Sequence, residues 1–269
     1  MMRTVFLLVM ILLMVMSSCN NEENLTYDEP DKKILFLHHS TGYNVYRGSK
    51  LDKRFVLNKQ NYDVPRLLAE YNEKNGVKYS IERRYFPSGD PYPWKNYPYD
   101  YYNIWVKNAG NEPYMEEPTL EMLTPEYDLI VFKFCYPVSN VLDDTVADIN
   151  SEKKTIANYK MQVNALKEKL KDFPDTEFLV WTGAAQVEAN VSQDQAERAN
   201  QFFHWFKEEW DEEGDNIHIF DFRKLETDGG LYLKPEHASS KTDSHPNSDF
   251  SAMAAEKFVD RMTGILSNS

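Results

Sequence analysis

Five short apolar runs recur along this chain with helical spacing between them, and that alternation limits the fold more than any other feature. The runs lie at residues 34–37, 77–86, 127–134, 176–182 and 216–222. Runs of this length, bounded by turn residues, read as strands. Between them the spacing changes. Asp63-Val64-Pro65 opens a helix, with Asp as cap and Pro in the first turn, and Gly76 ends it. A short helix is expected over 118–124. Residues 151–173 carry Ile156, Tyr159, Val163, Leu166 and Leu170 on one stripe. Ser192 and Gln195 form a capping box before Ala196, Ala199, Phe203, Phe206 and Trp210. Ser248 is expected to cap a last helix reaching Ile265. The alternation predicts an α/β class fold in three layers, α/β/α. Its core would be a five-stranded parallel sheet in flavodoxin-like order 2-1-3-4-5. Sheets of that order bind ligands between strands 1 and 3, outside the carboxyl ends.

The first run continues as Ile34-Leu35-Phe36-Leu37-His38-His39-Ser40-Thr41-Gly42. Four consecutive apolar residues suit a strand buried on both faces. Ser40 then falls in the loop at its carboxyl end, and Gly42 permits a sharp turn. Ser40 is either a nucleophile or a cap for the next element. The stretch from Ser40 to Tyr62 reads as irregular. Asn140 comes after the third strand, so Ser40 and Asn140 flank the predicted crevice.

The stretch ILFLHHSTG is similar to the first block of the SGNH/GDSL hydrolases, with His38-His39-Ser40 in place of Gly-Asp-Ser. Asp243-Ser244-His245-Pro246-Asn247 resembles that superfamily's last block. The resemblance implies an SGNH hydrolase-like domain and ester hydrolysis, plausibly deacetylation of a carbohydrate, with no cofactor. It implies Ser40 as nucleophile, His245 as base and Asp243 as the residue that orients His245. It places the oxyanion hole at the Ser40 and Gly89 amides and the Asn140 side chain. The superfamily's Asp stands three residues before the His, a position held here by Thr242. Asp221 is therefore an alternative orienter, and a Ser–His dyad a further option. The Gly-x-Asn-Asp block is missing in strict form. These departures leave room for two rival readings. One is a non-catalytic glycan-binding lipoprotein on the same fold. The other is a metal hydrolase using His38 and His39 with Asp243 or His245. Neighbouring side chains on an extended segment point opposite ways, so no metal site is expected.

The chain has 269 residues and a net charge of −13, which argues against a nucleic-acid partner. Arg3, an apolar run from Val5 to Met16, and Ser17-Ser18-Cys19 resemble a lipoprotein signal peptide. The expected organisation is a signal peptide at 1–18, a lipidated Cys19 with a flexible tether at 19–31, and the hydrolase-like domain at 32–267. That places the protein in a bacterial cell envelope, attached to a membrane through Cys19. The expected partner is an ester-bearing small molecule or an acetylated glycan. Cys135, the other cysteine, reads as core. Residues 85–105 hold nine aromatics, including Trp94 and Trp105. Such a segment either packs over the sheet or offers rings to a ligand.

Overall fold

The structure is a computed structural model that describes residues 29–50, 61–93 and 95–268. The expected signal peptide, Cys19, most of the tether and Trp94 lie outside the described residues.

Strands β1 (Lys32–His38), β2 (Tyr79–Tyr85), β3 (Leu129–Lys133), β4 (Glu177–Trp181) and β5 (Ile217–Phe220) form one parallel sheet. Its order is β2-β1-β3-β4-β5, as the alternation of elements predicts. The helices are α1 (Ser40–Arg47), α2 (Asp63–Asn75), α3 (Pro98–Tyr101), α4 (Leu120–Leu123), α5 (Ile156–Lys171), α6 (Gln193–Trp205), α7 (Phe222–Thr227) and α8 (Ser248–Leu266). Two of them run on as π-helical turns: α3 into Tyr102–Lys107 and α6 into Phe206–Trp210. Strands β6 (Ala238–Ser240) and β7 (Asp243–Pro246) make a small antiparallel hairpin.

Alternation along each strand divides the core in two. Ile34, Phe36, Val131 and Trp181 face α1, α2 and α8, where they meet Val45, Leu68 and Phe258. Leu35, Leu37, Ile130 and Phe132 face α3, α5 and α6, where they meet Tyr101, Trp105, Tyr159 and Phe203. Most of the aromatic segment packs into this second layer. Phe86, Tyr92, Tyr97, Tyr101 and Trp105 are all buried, and Trp105 Nε1 donates to Pro118 O at 3.1 Å. Trp105 is thus core and lines no cleft.

Four local expectations change. The start of the stretch after Ser40 is not irregular: Ser40–Arg47 form helix α1, with Ser40 as its first residue, while residues 51–60 lie outside the described residues. Gly42 makes that possible. A Cβ there would lie 2.7 Å from His38 Cβ and 2.9 Å from Phe36 Cζ, so only glycine lets α1 lie this close to β1. Tyr62, not Asp63, precedes α2. The Asp63 carboxylate instead accepts the Ser49 amide at 2.5 Å. Asn247, not Ser248, caps α8. Asp31, assigned to the tether, is bound to the sheet edge: its amide donates to Lys78 O at 2.8 Å and its carboxylate accepts the Lys78 amide at 2.7 Å.

Candidate active site

Ser40 leaves the carboxyl end of β1 and starts α1, with His39 as the N-cap residue. First-turn amides of a helix have no intrahelical acceptor, so the Ser40 N–H is available to an incoming oxyanion. The backbone around Ser40 is fixed by the two histidines that replace Gly-Asp. His38 Nδ1–H donates to His39 O at 2.9 Å, and His38 Nε2 faces Arg83 Nη1 at 3.5 Å. His39 Nε2–H donates to Pro87 O at 2.9 Å. Burial is the main cause that holds both rings neutral, lowering His38 to about 3 and His39 to about 4. The positive charge of Lys133 adds to both shifts. Lys133 ends β3 buried beneath Gly42, with Nζ donating to Phe134 O at 2.8 Å. The ring nitrogens named here are engaged with carbonyls and a guanidinium. Among the described residues no group of three or more His, Cys, Asp or Glu is placed to hold a metal ion.

His245 and Asp243 lie on β7, and their spacing of two does not keep them apart. The strand turns so that His245 Nδ1 meets Asp243 Oδ1 at 2.6 Å, while the His245 amide donates to the same oxygen at 3.0 Å. The Asp243 carboxyl is held below its ordinary value, first by that amide and then by the ring. This is an orienting contact, and it leaves Nε2 as the ring's outward nitrogen. Strand β7 packs on α1, with Asn44 Nδ2 donating to Pro246 O at 3.4 Å. Tyr136, in the turn after β3, sets its ring edge-on to His245 at 5.4 Å and directs its hydroxyl at Thr41 without forming a hydrogen bond. Ser40 and the Asp243–His245 pair thus border one rim. Ser40 Oγ itself has no hydrogen-bond partner among the described residues, His245 included.

Asn140 comes after the turn Tyr136–Ser139 that leaves β3. Its Oδ1 accepts Gln186 Nε2 at 2.9 Å, which leaves Nδ2 to donate elsewhere. The 183–186 segment that carries Gln186 is held from both sides. Ser139 Oγ donates to Ala184 O at 2.5 Å, and the Ala185 amide donates to Oε2 of the buried Glu226 carboxyl at 2.7 Å. Burial pushes Glu226 up to about 8, against the opposing pull of that amide, Arg223 and Lys133.

Two of the residues named from the sequence have other partners. The Gly89 amide is directed at the Glu117 carboxylate, which also accepts the Ser88 amide at 2.5 Å and the Ser88 hydroxyl at 2.7 Å. Asp221 does not approach His245. Its carboxylate accepts Thr182 Oγ1 at 2.9 Å and Lys207 Nζ at 2.7 Å, and it caps α7 through the Lys224 amide. Gln186 and Tyr136 were not identified from the sequence. Both stand in loops at carboxyl ends of strands, which was the one available signal.

The sheet order and this rim define a doubly wound α/β protein with a serine and an Asp–His pair at its switch point. No family model matches the chain. No curated protein matches it. Among solved structures it is similar to a family two carbohydrate esterase from Cellvibrio japonicus, at 12% identity and a TM-score of 0.42 over 88% of this chain. The chain spans 62% of that protein's length. It is also similar to a protein from Parabacteroides merdae described as a GDSL-like lipase, at 13% identity and a TM-score of 0.47, covering 88% of this chain and 97% of that one. A third is a family two carbohydrate esterase from Clostridium thermocellum, in complex with cellohexaose, at 13% identity and a TM-score of 0.40, covering 88% and 65%. Likeness at this level decides nothing about activity.

Proposed function

We propose that the protein is a serine esterase that hydrolyses an acetyl ester on a carbohydrate. The observation that carries this reading is the Asp243–His245 contact of 2.6 Å, on a strand packed against the helix that Ser40 begins. In the forward step Ser40 Oγ attacks the ester carbonyl carbon while His245 Nε2 takes its proton. The carbonyl π pair moves onto oxygen, and the Ser40 amide and Asn140 Nδ2 stabilise the oxyanion. When the oxyanion collapses, the C–O bond to the alcohol breaks and His245 returns the proton to that alcohol. Water then repeats the sequence on the acyl-serine and releases the acid. Asp243 fixes the ring and supports its positive form. The approach of Ser40 Oγ to Nε2 closes when substrate binds, as catalytic hydrogen bonds often do.

A second reading, a non-catalytic glycan-binding protein, is favoured by one observation, the unengaged Ser40 Oγ. Hydrolysis of p-nitrophenyl acetate separates the two. The esterase reading expects turnover that falls about 10⁴-fold or more in Ser40→Ala and in His245→Ala, with EDTA having no effect. Equal rates in wild type and Ser40→Ala would sink it, and inhibition by EDTA would favour the metal hydrolase.

A further inference from the structure

A cavity of 270 Å³ opens beside the aromatic segment. Its wall includes Tyr92, Tyr99, Asn103, Lys107, Asn108 and Tyr114. Two of these, Asn103 and Lys107, stand on the π-helical turn that extends α3. π-helical turns are rare and cluster at functional sites. Tyr114 begins the tight turn whose central residues, Met115 and Glu116, have positive φ values of 48° and 69°. Neither is a glycine, and irregular backbone at the rim of a cavity points towards use of that cavity.

The polar groups here divide into two sets. One set is committed. The Asp100 carboxylate accepts the Tyr92 hydroxyl at 3.0 Å and the Lys95 amide at 3.1 Å. Lys95 Nζ pairs with Glu152 at 2.9 Å, and Asn108 Nδ2 donates to Asn103 O at 2.8 Å. The other set has no partner among the described residues: the Tyr99 and Tyr114 hydroxyls and the Lys107 ammonium. Two half-exposed rings with unengaged hydroxyls, beside a framework already fixed by hydrogen bonds, suit a ligand with C–H faces and many hydroxyls. The ionic groups on the wall balance, Lys95 and Lys107 against Asp100 and Glu152, so the cavity has no preference for an anion. Its volume is just below the ~300 Å³ at which drug-sized sites begin, and fits a single ring.

We propose that this cavity is a subsite for one neutral sugar ring. The Tyr99 and Tyr114 rings pack against its C–H groups, and their hydroxyls with Lys107 bond its hydroxyls. The loop that forms the near wall leaves β2, the strand paired with β1. Its Pro87 is bonded by His39, the neighbour of Ser40. The segment that brings Tyr92 to the cavity is thus tied, through Pro87, to the residue beside Ser40. Ring binding stands independently of catalysis, but the claim that this ring belongs to the ester substrate rests on the proposed esterase.

The test uses the full chain with Ser40→Ala, titrated calorimetrically with cellohexaose, xylohexaose, mannohexaose and an oligogalacturonide. At least one neutral oligosaccharide should bind, and Tyr99→Ala and Tyr114→Ala should each weaken it by about tenfold. The same substitutions with Ser40 intact should leave p-nitrophenyl acetate hydrolysis unchanged. Tyr99→Phe, Tyr114→Phe and Lys107→Ala preserve the packing and should each give a smaller loss of binding. No neutral oligosaccharide bound, binding indifferent to all five substitutions, or binding of the oligogalacturonide alone would overturn the subsite. Binding without ester hydrolysis would overturn the esterase and leave the subsite standing. Ester hydrolysis with no neutral sugar bound would do the reverse.

Discussion

Gln186 shows how much of the site depends on one side-chain amide. Its Nε2 holds Asn140 Oδ1 at 2.9 Å, and that contact decides which end of Asn140 is free to donate. Replacing it with a carboxylate reverses the polarity. In Gln186→Glu the ionised side chain only accepts, so Asn140 would turn and give it Nδ2. One oxyanion donor is then lost, a fall of roughly 10²–10³ in kcat with KM little changed. Protonated Glu donates again. The ratio of mutant to wild-type kcat should therefore rise as pH falls through the titration of the introduced acid. A ratio flat across pH, measured on the same ester, would show that Gln186 does not orient Asn140. Ser40 and His245 could be picked out from the sequence because a short motif surrounds each. Gln186 could not, since its role depends on a residue 46 positions away.

At the scale of elements, the hairpin β6–β7 brings the Asp243–His245 pair to the rim, and Asn247 ties it down. Asn247 Oδ1 accepts the Phe250 amide at 2.9 Å and so caps α8, while Nδ2 donates to Glu236 O at 2.8 Å and Ala238 O at 3.3 Å. Asn247→Ala should lower stability by about 1–2 kcal/mol and reduce kcat as the hairpin loosens. Ser192→Ala removes a cap of the same kind from α6, where the capping-box bonds of Ser192 run only to Gln195 and not to the hairpin. It should lower stability comparably and leave kcat intact. Urea melts and kcat on both variants check this; equal loss of kcat would mean that general destabilisation, not the hairpin, is at work. The five strands were legible because apolar runs with the right boundaries have few alternatives. Helix α1 was not: STGYNVYR combines Gly and Asn with β-branched residues, all poor helix formers, and it is helical because Val45 and Tyr46 bury against the sheet. The hairpin strands, ASS and DSHP, carry no apolar alternation and owe their shape to loop contacts.

For the whole molecule, buried titratable groups set the pH range of stability. His38 and His39 stay neutral in the fold down to about 3 and 4, whereas an unfolded histidine titrates near ~6.5. Below that value the unfolded chain takes up protons that the fold refuses, so stability is lost as pH falls from about 6.5 towards 4. His39 alone accounts for on the order of 3 kcal/mol. Glu226 works in the opposite direction. Its folded value of about 8 exceeds the unfolded value, so the fold holds a proton that the unfolded chain releases, and stability declines as pH rises towards 8. Urea denaturation between pH 4 and 9 should show a maximum near neutrality. His39→Gln, which keeps an N–H for Pro87 O, should flatten the acid limb; an unchanged limb would mean that other groups cause it.

The proposed esterase requires Ser40 to be a nucleophile activated by His245. The most direct measurement is intact-mass and peptide analysis after treatment with a fluorophosphonate. This reagent loses fluoride to an activated serine and leaves the phosphonyl group on its oxygen. One adduct is expected, on Ser40, absent in Ser40→Ala and formed far more slowly in His245→Ala. An unlabelled wild type, or a label on another residue that persists in Ser40→Ala, would contradict it.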